Sequence, residues 1–235
     1  MTWTAGPFLA LDLETTGTDP WADRIVTASL VEVTVGAKPA TASWLLNPGI
    51  PIPAGAEAVH GISTAQAVAR GVAPADALAE ITARVAAWLA AAKPVVAFNA
   101  SFDLTMLEAE NARHGIPTLV QRLSEIRPVI DPLVLDKEMD TYRRGKRTLP
   151  VLADLYGVAL ERAHSSDADA VAAALLVPEL TARYPALGAY SLDELHDAQQ
   201  LWRKEHQLSL ANYFERQGYL DAVQSMRYGW PTESR

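Results

Sequence analysis

From Pro7 to Glu14 the chain is apolar and closes on a Thr-Thr-Gly turn, and two more β-rich runs follow, Ile25 to Val35 and Ala40 to Leu46, separated by Gly36 and Pro39. Runs of this kind punctuated by glycine and proline predict a three-stranded meander. The spacing changes after Asp76. Leu78, Ile81, Val85, Trp88 and Leu89 recur at helical intervals up to Ala92, and Pro94 leads into a short strand of buried type, Val95 to Phe98. A helix that feeds a central strand implies a right-handed crossover.

The second half alternates in the same way. Ser101 is placed to cap a helix reaching about His114, with Gly115 and Pro117 as stop signals. Val129 to Asp131 reads as a strand, Leu149 to Tyr156 as a helix ended by Gly157, and Asp167 to Tyr184 as a helix that Pro178 kinks or breaks. Ser191 and Glu194 stand in capping-box spacing ahead of Leu195, Ala198, Trp202, Leu210, Tyr213 and Phe214, which repeat on a helical period until Gly218. The expected organisation is an α/β domain over residues 1–186 and a C-terminal helical extension over 187–235.

Composition narrows the chemistry. Cysteine is absent from the 235 residues, which excludes thiol nucleophiles and thiolate zinc sites, so any metal must be held by oxygen or imidazole. The net charge of −8 argues against a protein that coats nucleic acid broadly, but not against a nuclease that handles a short strand end with bound cations. No window approaches the roughly 18 apolar residues of a membrane span. A soluble, cytoplasmic protein without a membrane partner is expected.

Three acidic segments carry the candidate chemistry. They are Asp12-Leu13-Glu14-Thr15-Thr16-Gly17, Phe98-Asn99-Ala100-Ser101-Phe102-Asp103 and His164-Ser165-Ser166-Asp167-Ala168-Asp169-Ala170. Asp12 and Glu14 are two residues apart on a strand, so both carboxylates leave the same face while Leu11 and Leu13 face the other. Each acid lies in or beside an apolar stretch, where an ionised carboxylate is costly unless a cation meets it. Hard oxygens select Mg²⁺ or Mn²⁺, and two such ions can activate a water on one side of a phosphodiester and stabilise the leaving oxygen on the other. Asp103, in the first turn of its helix, also has a plainer role open to it, compensation of the helix dipole. Asp167 reads as a capping residue rather than a ligand.

The order and spacing of these segments resemble the DEDDh exonucleases of the ribonuclease H-like superfamily, a group that includes the proofreading epsilon subunits of bacterial replicative polymerases. The motifs here read Asp-x-Glu-Thr-Thr-Gly, Asn-x-x-Phe-Asp and His-x-x-x-x-Asp-Ala, with Ser166 where the family more often has Ala. The resemblance implies a mixed five-stranded sheet flanked by helices. It further implies a 3′–5′ exonuclease in which Asp12, Glu14, Asp103 and Asp169 hold two Mg²⁺ or Mn²⁺ ions and His164 serves as general base. Thr15 and Thr16 are expected to hold the sugar and phosphate of the terminal nucleotide, Asn99 to contact the substrate, Phe102 to stack on a base, and His60 in Val59-His60-Gly61-Ile62 to lie near the 3′ end.

The expected substrate is a nucleic acid 3′ end, DNA favoured over RNA, in a repair or proofreading setting. A basic loop, Arg143, Arg144, Lys146 and Arg147, is a candidate backbone contact or simply a solvated loop. The apolar stripe of the extension fits packing on its own domain, a homodimer, or a replication or repair partner. An RNA 3′-end nuclease and a non-catalytic binding module with the same fold stay open as alternatives.

Overall fold

A computed structural model describes residues 3–160 and 163–234. The apolar runs form β1 (Phe8–Thr15), β2 (Ile25–Val33), β3 (Ala40–Leu45), β4 (Val95–Val96) and β5 (Val129–Ile130). The five make one sheet in the order β3-β2-β1-β4-β5. The first three strands are the antiparallel meander, with Asp12 opposite Ser29 and Glu14 opposite Thr27, while β4 runs parallel to β1 and β5 parallel to β4. The helices are α1 (Ala54–His60), α2 (Thr64–Arg70), α3 (Pro74–Ala90), α4 (Ala100–Arg113), α5 (Leu119–Leu123), α6 (Pro132–Met139), α7 (Leu149–Tyr156), α8 (Ser166–Arg183), α9 (Leu192–Gln217) and α10 (Leu220–Ser225).

Side-chain alternation along β1 divides the core into two layers. Leu9, Leu11 and Leu13 pack with Leu78, Ile81 and Val85 of α3 and Leu104 and Leu107 of α4. Phe8 and Ala10 point the other way, onto Ala170, Ala173, Ala174 and Val177 of α8. Asp12 and Glu14 continue this second row, so the face that packs on α8 is the face that carries both acids. α8 is one helix with Pro178 inside it, not two. Buried Leu176, Val177 and Leu180 clamp both sides of the proline to the same core, which outweighs the lost hydrogen bond.

β5 lies at the sheet edge, where unpaired backbone groups invite partners. Helix α9 covers it. His196 Nδ1 accepts from the Val129 N–H at 3.2 Å, Gln199 Oε1 accepts from the Asp131 N–H at 2.7 Å, and Gln199 Nε2 donates to the Val129 carbonyl at 3.0 Å. The first half of the extension is thereby part of the sheet layer. Its outer half leaves the core: Leu208, Leu210 and Tyr213 are exposed. No helix among the described residues is long and apolar enough to cross a membrane.

Three expectations need correction. Ser101 does not cap α4; the cap position is Asn99, in the left-handed conformation with φ of 64°, which Asn tolerates better than most residues. The short helices α1, α2 and α5 were not legible in the hydrophobic period, because each is held by its caps and neighbours rather than by a long apolar stripe. The basic loop does not offer all of its cations outward. Arg143 and Arg147 both pair with the fully buried Asp136, which also accepts from the Tyr156 hydroxyl at 2.8 Å. A buried carboxylate left alone would be costly, so it draws the two guanidiniums in; only Arg144 and Lys146 stay exposed.

Candidate active site

The site gathers at the C-terminal end of β1, where the chain to one side continues into β2 and to the other side the sheet continues through β4. In open α/β sheets ligands bind at such switch points. Asp12 and Glu14 stand on the α8 face of β1. Asp103 enters from the first turn of α4 and accepts the Leu13 N–H on Oδ1 at 3.1 Å, so the backbone between the two strand acids tethers the third. Asp169, in the first turn of α8, accepts the backbone N–H of His164 on Oδ2 at 3.0 Å. His164 has φ of 66°, and its backbone is held by Asp169 while its ring is exposed. Glu14, His164 and Asp169 each bring one ligand atom within 4.8 Å of the others.

The electrostatics show that the four acids feel one another. Burial, followed by the charges of Asp103, Asp169 and Glu14, pushes the Asp12 carboxyl well above its ordinary range. Burial and the Asp169 charge raise Glu14 to about 7. Asp103 is raised chiefly by burial, against the pull of the Leu13 N–H, and Asp169 is raised by burial against the His164 N–H. Carboxylates this close cannot all ionise without a counter-charge. Asp169 Oδ1 is buried with no hydrogen-bond partner among the described residues. Hard oxygens, mutual crowding and an orphaned lone pair fit a divalent cation held by Asp12, Glu14, Asp103 and Asp169.

The expected substrate contacts divide. Thr15 Oγ1 donates to the Gly17 carbonyl at 2.6 Å. Thr16 is buried, donates its hydroxyl to Asp23 at 2.9 Å and accepts the Arg24 N–H at 3.0 Å, so that hydroxyl braces the turn that follows β1. Gly17 permits this turn because a Cβ there would collide with the Asp23 carboxylate. His60 ends α1 beside the Thr15 backbone, and its Nδ1 accepts the Ile62 N–H at 3.1 Å. Asn99 and Phe102 are half-buried and line a common cavity.

Two supporting residues had no signal in the spacing of the acidic segments. Asp131, almost fully buried, accepts the N–H groups of Asn99 at 3.0 Å, Ala100 at 2.9 Å and Leu133 at 3.0 Å, and so fixes the start of the helix that delivers Asp103. An Asp directly before Pro132 is a visible helix-start pattern for α6, but its reach back to α4 is not. Ser166 shares hydroxyl contacts with Ser29 at 2.8 Å and Thr27 at 3.3 Å, and Ser29 continues to Ser43 at 2.8 Å. The Ser166 hydroxyl thus ties the start of α8 to β2 and, through Ser29, to β3.

Comparison with other proteins places this arrangement. The DNA polymerase III subunit epsilon-like protein of Rhodobacter capsulatus is 34% identical over 185 residues, 75% of this chain and 24% of that protein, so the chain spans about a quarter of that relative's length. E. coli Exonuclease I in complex with a dT13 oligonucleotide matches with a TM-score of 0.64 at 20% identity, over 77% of this chain and 42% of that one. Exonuclease X in complex with 5′ overhanging duplex DNA matches with a TM-score of 0.58 at 20% identity, over 82% of this chain and 99% of that one. At such identities the likeness to the solved structures is one of fold, and it agrees with the mixed sheet and flanking helices expected from the motifs. The family model RNase_T, described as Exonuclease, matches residues 9–177, and the chain belongs to that exonuclease family.

Proposed function

We propose that the protein is a metal-dependent 3′–5′ exonuclease that hydrolyses phosphodiester bonds from the 3′ end of single-stranded or frayed DNA and releases nucleoside 5′-monophosphates. The observation that carries this reading is the convergence of four carboxylates, each raised above its ordinary range, and one exposed imidazole where β1, α4 and α8 come together. Asp12, Glu14 and Asp169 are assigned to one Mg²⁺ or Mn²⁺ ion, and Asp12 and Asp103 to a second. Bound there, the ions would supply charge neutralisation at the phosphate and at the departing oxygen.

The chain's own residues do the rest. The His164 ring accepts a proton from the attacking water, and the His164–Asp169 backbone bond keeps the ring beside Glu14 and Asp169. Thr15, His60, Asn99 and Phe102 position the terminal nucleotide, Phe102 by offering a stacking face. Positioning and fixed charge account for most of the rate in phosphoryl chemistry, and this site is built for both. DNA is preferred as the substrate because the polymerase-subunit relative and the solved complexes described above concern DNA. Proofreading or repair is the corresponding setting, and the exposed outer half of α9 is the part of the extension open to a second copy or a replication partner.

The test is a Mg²⁺ time course on 5′-labelled single-stranded DNA, a recessed duplex and RNA of the same sequence, with His164→Ala alongside. The expected result is a ladder shortening from the 3′ end, fastest on single-stranded DNA and slowed about 10²-fold or more in the variant. Faster decay of RNA would move the substrate to RNA. Absence of cleavage on all three would leave a binding module.

A further inference from the structure

A cavity of about 600 Å³ lies between the segments around Thr18 and Phe102 and the C-terminal extension. Thr18, Asn99 and Phe102 line one side, and Arg203, Gln207 and Arg227 line the other. Its size is within the roughly 300–1,000 Å³ of ordinary ligand clefts. Thr18 follows the turn that closes β1, and Phe102 directly precedes Asp103, so two of the three acid-bearing segments contribute to or adjoin the lining. A second depression of about 630 Å³ shares Ser225, Met226 and Arg227 with the first and runs on past Trp21. Together they form a groove leading away from the site.

Arg203 is 15% exposed; its Nη2 lies 3.4 Å from Ser101 Oγ, and its Nε is buried without a hydrogen-bond partner among the described residues. A carboxylate already sits in front of it: Glu233 Oε1 is 4.0 Å from Arg203 Nη2 and accepts from the Ser101 hydroxyl at 3.2 Å. A carboxylate oxygen thus rests on the Ser101 hydroxyl with the Arg203 guanidinium nearby. Arg227, 31% exposed, stands 4.7 Å over the Trp21 ring and 3.2 Å from Asp19 Oδ1. Cations interleaved with aromatic faces along a groove are the pattern that takes a single strand, by its phosphates and its bases. Arg203, Arg227 and Glu233 all lie beyond the family match at residues 9–177, so this wall belongs to the extension.

We propose that α9 and the C-terminal tail form the second wall of a strand groove, in which Arg203 and Arg227 contact the phosphates upstream of the 3′-terminal nucleotide and Glu233 fills the Arg203 seat until a phosphate displaces it. The inference rests on the exonuclease reading for the identity of its ligand, a nucleic acid strand. Backbone contacts of this kind add affinity without sequence preference.

The test compares two substrates that differ in length. The p-nitrophenyl ester of thymidine 5′-monophosphate has no upstream phosphate, whereas a 5′-labelled oligo-dT has many. Arg203→Ala and Arg227→Ala are expected to lose about tenfold more kcat/KM on the oligonucleotide than on the ester. Strand affinity, read by fluorescence anisotropy in Ca²⁺, should weaken, and its salt slope should fall by about 0.7 per lost contact. Arg203→Lys should recover part of the affinity, and Glu233→Gln should tighten binding. Equal losses on both substrates, an unchanged salt slope, or no strand binding by the wild type would overturn the groove. A wild type that binds the strand with this arginine dependence yet hydrolyses neither substrate would refute the exonuclease reading and uphold the groove.

Discussion

Asp12 and Glu14 reach the site along a single strand, two positions apart, whereas Arg203 and Arg227 reach its neighbourhood from a long helix and a tail at the far end of the chain. The floor is acidic and held by backbone hydrogen bonds, as in Leu13 N–H to Asp103 and His164 N–H to Asp169. The opposite wall is basic and held by side chains, through His196 and Gln199 on β5 and Glu233 beside Arg203. A floor that must hold crowded like charges needs rigid anchors, because each carboxylate would otherwise swing away from the others. A wall that meets a flexible strand can be built from longer, adjustable contacts.

The comparison breaks first at Asp103. Asp103→Asn keeps an oxygen for the Leu13 N–H, so the tether and the fold should persist while one charge of the floor is lost. A fall in kcat of about 10³-fold or more with an unchanged circular dichroism spectrum is expected. A loss below tenfold would mean that the charge of the floor matters less than its shape.

Asp131 sits between floor and wall, receiving the start of α4 on its carboxylate while its own N–H goes to Gln199 of α9. Asp131→Ala would leave the N–H groups of Asn99, Ala100 and Leu133 without their acceptor. Urea unfolding should report a loss of about 2–4 kcal/mol, accompanied by reduced turnover. A variant of unchanged stability would show that the two regions are anchored independently.

The subtlest difference is in pH response. Glu14 is raised from 4.5 to about 7, so between those values the folded, metal-free protein holds a proton that the unfolded chain has released. Where the native state binds more protons, stability falls as pH rises. Melting temperature in EDTA should therefore decline across that window, with Asp12, Asp103 and Asp169 acting in the same direction, and Mg²⁺ should flatten the decline. A profile that is flat without metal would remove the argument that the floor is short of counter-charge.

Much of the floor was legible because its signals are short-range. The alternation in Phe8–Thr15 sets which face Asp12 and Glu14 share, and the Ser191–Glu194 box and Gly218 bound α9 where the spacing said they would. Even so, two capping boxes of the same kind, Ser63 with Gln66 and Thr118 with Gln121, were present in the sequence and passed over, since the helices they start carry little apolar periodicity. Arg143 and Arg147 misled for the opposite reason: a run of charges looks solvated until the buried carboxylate it serves, Asp136, is found on another helix. Ser101 was assigned to a cap because its position in the motif fits one, but Asn99 takes that place and the Ser101 hydroxyl turns to Glu233 in the tail.

The sequence by itself determined the strands, the faces their side chains take, the helix limits marked by caps and glycines, and the set of acids with one histidine, because backbone period and capping are decided within a few residues. Only the tertiary structure decided that β4 lies between β1 and β5, that Asp131 reaches back to hold the helix bearing Asp103, that Ser166 ties α8 to the meander, and that α9 and the tail bring Arg203 and Arg227 opposite Phe102. Those pairings join residues far apart in the chain, and their energy depends on burial and mutual orientation that no local pattern encodes.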